Sequence, residues 1–161
     1  CAEVVRVDST ADLAQAMTGL APTSDVLVMA AAPADFTPAH PSELKLKKSG
    51  AEGLTVEFTQ TVDVLATLVR TRRGGQTIVG FAAETAGSES ELLRLGRAKL
   101  ARKGCDLLVL NDVSGGAVFG SADNAVTILG HAGVVERASG NKNLIAHRIL
   151  DAVVVNRKVP S

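Results

Sequence analysis

Val26-Leu27-Val28-Met29-Ala30-Ala31-Ala32 decides the reading of this chain, a continuous apolar run bounded by Asp25 and Pro33. Such a run is the signature of a strand buried on both faces of a parallel sheet, and a sheet covered on both faces needs helices around it. Upstream, Val4 to Val7 reads as a short strand. Ser9-Thr10-Ala11-Asp12 then offers a helix N-cap with a carboxylate three residues on, followed by Leu13, Met17 and Leu20 at helical spacing. Downstream the alternation repeats: a helix from about Val62 to Arg72, a strand from Ile78 to Ala83, a helix from about Ser90 to Lys103 and a strand from Leu107 to Leu110. A strand from Ala125 to Leu129 and a final helix from about Asn141 to Val155 complete it. The predicted fold is α/β, a doubly wound, Rossmann-like, mostly parallel sheet.

Two stretches interrupt the alternation. In Leu44 to Phe58, Leu54, Val56 and Phe58 alternate with Thr55 and Glu57 after a lysine-rich segment and a Ser49-Gly50 turn, which predicts a β-hairpin arm over about 44–58. Ser114 to Ser121 is a glycine-rich connection whose spacing predicts a tight turn.

Composition narrows the function classes. The 161 residues are 46% hydrophobic, enough for one compact domain spanning 1–161. Lysine plus arginine and aspartate plus glutamate stand at 17 each, so no general basic field exists to hold a nucleic-acid backbone, and any anion site must be local. With no Trp or Tyr and four Phe, the platforms that stack single-stranded bases are missing too. No membrane-length apolar run and no signal-peptide pattern occur, which reads as cytoplasmic. The chain opens on Cys1 as though in mid-fold, and a fragment of a longer protein is expected. Cys1 and Cys105 form no CxxC pair, and Cys105, at the start of an apolar run with no histidine near it, reads as a buried structural thiol.

In an open α/β sheet, ligands bind beyond the carboxyl ends of the strands. The polar groups there are Asp35, Glu84-Thr85, Asn111-Asp112 and Gly130-His131. Asp35 stands out, because Ala31-Ala32-Pro33-Ala34 before it lets a ligand approach the backbone closely, and it is read as a nucleotide or metal contact. Lys45 and Lys47 share one face of an extended segment, a pattern that serves a charged edge or a phosphate equally well. Lys99 and Lys103 stand at i and i+4 near a helix C-terminus, where basic residues ordinarily complement the dipole. No Gly-x-Gly-x-x-Gly follows a strand and no Gly-x4-Gly-Lys-Ser/Thr loop occurs, which disfavours a standard dinucleotide oxidoreductase. His40, His131 and His147 are dispersed without zinc-ligand spacing.

Taken in order, Ala30-Ala31-Ala32-Pro33-Ala34-Asp35-Phe36, Leu44-Lys45-Leu46-Lys47-Lys48, Val79-Gly80-Phe81-Ala82-Ala83-Glu84-Thr85, Lys99 to Asp106 and Asn111-Asp112-Val113-Ser114 resemble phosphopantothenoylcysteine synthetase, from about Val26 to the last helix. The resemblance implies a ligase of coenzyme A biosynthesis. It would use CTP and a divalent cation, usually Mg2+, to turn the carboxylate of 4'-phosphopantothenate into an acyl-cytidylate, which the amine of L-cysteine attacks. It also implies the site. Ala30 and Ala31 would run along the cytidine, Asp35 would contact nucleotide or metal, and Lys45 would hold the triphosphate and assist transfer. Val62, Asp63, Val64 and Leu65 would line the pocket at a helix N-terminus, with Phe81 flanking it and Lys99 and Lys103 contacting the nucleotide. A homodimer joined through the arm is implied as well.

Two departures qualify the resemblance. Thr61-Val62-Asp63 stands where the family usually has Asn-Pro-Asp. The family's opening strand, its glycine-rich phosphate loop, an asparagine that stabilises the acyl-nucleotide and the often-fused flavin decarboxylase would all precede Cys1. The expectation is therefore a chain that binds CTP and falls short of complete catalysis alone. The rival readings are a truncated, non-catalytic nucleotide-binding or dimerisation module and a Rossmann-like oxidoreductase lacking its first unit.

Overall fold

A computed structural model of the chain describes residues 2–42, 44–45, 53–113 and 123–157. Helix α1 (Thr10–Leu20) starts where the capping pattern placed it. Asp12 N–H donates to Ser9 Oγ at 3.1 Å, and Ser9 N–H donates to Asp12 Oδ2 at 3.0 Å. Strand β1 (Val26–Met29) follows, then a two-stranded ribbon of β2 (Phe36–Pro38) and β3 (Phe58–Gln60), helix α2 (Val64–Thr71) and strand β4 (Thr77–Glu84). Helix α3 (Glu89–Lys103) leads to strand β5 (Leu107–Asp112), the hairpin β6 (Asp123–Gly130) and β7 (Gly133–Asn141), and helix α4 (Lys142–Asn156).

The main sheet has the order β1-β4-β5-β6-β7. β1, β4 and β5 run parallel, whereas β6 and β7 continue the sheet antiparallel. Alternation along β4 and β5 sorts their side chains between two cores. Ile78, Leu108 and Leu110 face Leu65 and Leu68 of α2 and Leu92 and Leu100 of α3, with α1 resting on the same cluster. Val79, Leu107 and Val109 face Ile145, Ile149, Ala152 and Val153 of α4. Helices thus cover both faces of an open sheet, and α3 lies close enough for a glycine at its contact point, Gly96. α3 ends on Gly104, whose φ of 69° is the left-handed cap that glycine adopts without strain.

Three expectations are corrected and one strand is added. Burial on both faces belongs to β4 and β5, not to the run that starts at Val26. Among the described residues β1 lies at the edge of the sheet and ends at Met29, its Val28 is 39% exposed, and Ala30 to Ala32 are loop. Val4 to Val7 form no strand, because no neighbour among the described residues accepts their backbone hydrogen bonds, and they lie exposed. The ribbon is set earlier than 44–58: Asp35 to Ala39 run against Glu57 to Thr61, with Thr61 N–H donating to Asp35 O and Ala39 N–H to Glu57 O, each at 2.9 Å. Leu54 and Val56 lie outside any strand, and residues 46–52 of the expected arm lie outside the described residues, as does the glycine-rich stretch 114–121. Finally, β7 has no counterpart in the expectation; it is a half-exposed edge strand without a long apolar run. No helix among the described residues is long and apolar enough to cross a membrane.

Candidate functional site

An open cleft of about 950 Å³ lies beyond the carboxyl ends of β1, β4 and β5. Its first wall is the loop after β1, where Ala30, Ala31 and Ala32 present little more than backbone and Asp35 stands exposed at the start of the ribbon. Thr61 fixes that loop to the next wall, its hydroxyl donating to Ala34 O at 2.6 Å. The second wall is the N-terminus of α2, with Val62, Asp63, Val64 and Leu65. Asp63 is the N-cap: its Oδ1 accepts from Ala66 N–H at 3.0 Å. Phe81, Ala82 and Ala83, near the end of β4, supply an apolar floor. The last two turns of α3 close the far side with Lys99, Arg102 and Lys103.

Sequence-level assignments made far apart in the chain therefore meet in one place. Ala30, Ala31, Asp35, Val62, Asp63, Val64, Leu65, Phe81, Lys99 and Lys103 all line the cleft. Lys45 is exposed on the arm and is not among the lining residues, and Lys47 and Lys48 lie outside the described residues. Gln60, Thr61 and Arg102, to which sequence reasoning gave no contact, also line it, as does Asn111, which it named only as a polar group at a strand's carboxyl end. Helical geometry carried a signal for Arg102, which lies three residues from Lys99 on the same side of α3.

The cations are held by carboxylates. Lys99 Nζ lies 2.5 Å from Glu84 Oε1, and the Lys103 ammonium donates to Asp63 Oδ2. Burial pushes the Asp63 carboxyl upward. The hydrogen bonds from Lys103 and the Ala66 N–H, with the attraction of Lys103 and Arg102, outweigh it and hold the group below the ordinary aspartate value. Arg102 makes no ion pair among the described residues and lies exposed at the cleft. The cleft thus sets the N-terminus of α2, capped by Asp63, and three basic side chains, two of them paired with carboxylates, around a floor of small and apolar groups.

Among the described residues no three His, Cys, Asp or Glu side chains converge to hold a metal ion. Asp63 is committed to Lys103 and Ala66, which leaves Asp35 as the carboxylate of the loop wall. Asp35 would be the carboxylate to hold magnesium, which keeps several waters and is ordinarily bound through one or two carboxylates together with substrate phosphates.

Fold and cleft together define an open α/β domain with a cleft lined by basic side chains at the carboxyl edge of its parallel strands. More narrowly, the chain belongs to the family of the DNA/pantothenate metabolism flavoprotein C-terminal domain, whose profile matches residues 1–156. The coenzyme A biosynthesis bifunctional protein CoaBC of Mycobacterium tuberculosis (strain ATCC 25618 / H37Rv) is 49% identical over 159 residues, covering 94% of this chain and 38% of the relative. The chain thus spans well under half the length of that protein. Among solved structures, the C-terminal domain of coenzyme A biosynthesis bifunctional protein CoaBC aligns with a TM-score of 0.69 at 27% identity, over 94% of this chain and 64% of that one. A Cab2 H337A mutant in complex with phosphopantothenate-cysteine shares the fold, with a TM-score of 0.68 at 17% identity over 91% of this chain and 50% of that one.

Proposed function

We propose that this chain is the nucleotide-binding part of a phosphopantothenate–cysteine ligase of coenzyme A biosynthesis. The observation that carries the reading is the cation cluster Lys99, Arg102 and Lys103 set opposite the N-terminus of α2, in a chain 49% identical to a CoaBC protein. In this reading CTP lies in the cleft, with its cytidine along Ala30 and Ala31 and against Phe81, and its phosphates toward Val62 to Leu65, Lys99 and Lys103. A carboxylate oxygen of 4'-phosphopantothenate attacks the α-phosphorus, pyrophosphate leaves, and the amine of L-cysteine then displaces CMP to form the amide. Attack by an anion on a phosphate brings like charges together, so the site's task is to screen them and stabilise the leaving pyrophosphate. Lysines on α3 and Lys45 on the arm serve that task, with Mg2+ beside Asp35 neutralising further phosphate charge. Cysteine reacts through nitrogen, so no protein thiol takes part.

The same reading makes the protein a cytoplasmic homodimer joined through the ribbon of β2 and β3, with a decarboxylase domain fused to it in the parent protein. The test is pyrophosphate release from CTP in the presence of Mg2+ and 4'-phosphopantothenate, using the parent protein and this chain side by side. CTP-dependent release by the parent, abolished by Lys45→Ala, supports the reading. Release from ATP alone, or release indifferent to 4'-phosphopantothenate, overturns it. CTP binding by this chain without release marks it as a binding module of that enzyme.

A further inference from the structure

We propose that Glu84 is a positioning residue, a carboxylate behind the cleft that fixes the ammonium of Lys99 for contact with the nucleotide's phosphates; this rests on the reading that the cleft binds CTP. Glu84 ends β4, and its backbone is held from one side by the ladder with β5, where it pairs with Asp112, and by Val113 N–H, which donates to Glu84 O at 2.9 Å. Its side chain is 21% exposed, and it reaches Lys99 Nζ at 2.5 Å. Lys99 lines the cleft and Glu84 does not. An ammonium has three donors, of which the carboxylate takes one, so two remain for a ligand while the flexible four-carbon stem is pinned.

The neighbouring pair is built differently. Asp63 lines the cleft itself and its side chain is 47% exposed, so an arriving anion meets that carboxylate directly and competes for Lys103. Glu84 is absent from the cleft wall that Lys99 lines, so a phosphate bound in the cleft can reach the free donors of Lys99 without displacing it. Its geometry is therefore that of a second-rank support, acting through Lys99 rather than on the ligand.

A double-mutant cycle on calorimetric titration of the chain with CTP and Mg2+ tests this, using Lys99→Ala, Glu84→Gln and the pair together. Expected results are a loss of about tenfold or more for Lys99→Ala and about three- to tenfold for Glu84→Gln, with the second change adding nothing in the Lys99→Ala background. Glu84→Asp, which keeps the charge but shortens the reach, should weaken binding in the same range and covers the case in which Glu84→Gln fails to fold. If Lys99→Ala weakens binding while both Glu84 variants bind as the parent does, or bind more tightly, the inference is wrong and the site reading stands. Equal losses from Glu84→Gln with and without Lys99 also overturn it. If CTP does not bind, or binds regardless of Lys99, the site reading fails and the inference with it.

Discussion

Lys103, the last residue of α3, donates to Oδ2 of Asp63, whose Oδ1 caps the first turn of α2. One carboxylate thus ties the end of one helix to the beginning of another at the mouth of the cleft, and both functions are separable by substitution. Asp63→Asn keeps a capping oxygen and removes the charge, whereas Asp63→Ala removes both. Urea unfolding should show about 1 kcal/mol lost in Asp63→Ala and a smaller loss in Asp63→Asn, in the range of about 0–1 kcal/mol found for exposed ion pairs.

Protonation offers an independent reading of the same group. The folded state holds the Asp63 carboxyl below its ordinary value, so the unfolded chain binds its proton first as pH falls. The associated stability is present above about pH 4, where an unfolded aspartate is ionised, and is lost as pH falls through the folded value. The stability gap between the parent and Asp63→Asn should therefore narrow below about pH 4. A gap that stays constant from neutral pH to acid would contradict the assignment.

Gly96 marks where α3 meets the sheet. A Cβ there would sit 2.6 Å from both Leu110 Cδ2 and Leu129 Cδ1, each fully or almost fully buried. Gly96→Ala gains helix propensity of about 1 kcal/mol and forces two core leucines off their rotamers at about 1–3 kcal/mol. A net loss of stability in urea unfolding is expected, together with weaker nucleotide binding, because α3 also carries Lys99 and Lys103.

Cys105 is fully buried, and burial raises its thiol above the ordinary cysteine value, with the nearby Asp106 charge adding to the effect. In a Cys1→Ser background the native chain should resist a disulfide reagent and react once denatured in urea. The sign for stability is opposite to that of Asp63. An unfolded chain releases the thiol proton at lower pH than the folded one, so stability falls as pH rises beyond about 8.5. Rapid labelling of the native chain would show the packing around β5 to be wrong.

Phe36 and Phe58 are both more than half exposed at the two ends of the ribbon's described ladder. Large apolar groups held in water on a two-stranded ribbon are suited to an interface. If the proposed dimer forms through the ribbon, replacing Phe36 and Phe58 together by serine should yield monomers in light scattering; a dimer that survives the double substitution removes these two side chains from the interface.

What the sequence made legible follows from where one local rule decided the outcome. The capping pattern at Ser9 and Asp12 and the apolar runs of β4 and β5 agree with the tertiary structure, so α1 and the central strands could be read directly. The run from Val26 misled, because the strand ends at Met29 and the alanine loop after it shares the apolar composition of a strand. β7 escaped because its Glu136, Arg137 and Ser139 dilute the apolar signal, although the Gly130-His131-Ala132-Gly133 turn advertises a hairpin. In the cleft, lysine spacing pointed to Lys99 and Lys103, but their pairing with Glu84 and Asp63 spans 15 and 40 residues and depends on packing that no local pattern carries. Lys45 rests on resemblance, and the described structure leaves it outside the cleft wall.

The most direct measurement is calorimetric titration of the chain with CTP and with ATP in the presence of Mg2+, repeated on Lys99→Ala. Binding of CTP but not ATP, weakened about tenfold or more by the substitution, is the predicted result. Absence of binding by either nucleotide, or CTP binding indifferent to Lys99, would contradict the claim that this cleft is the nucleotide site.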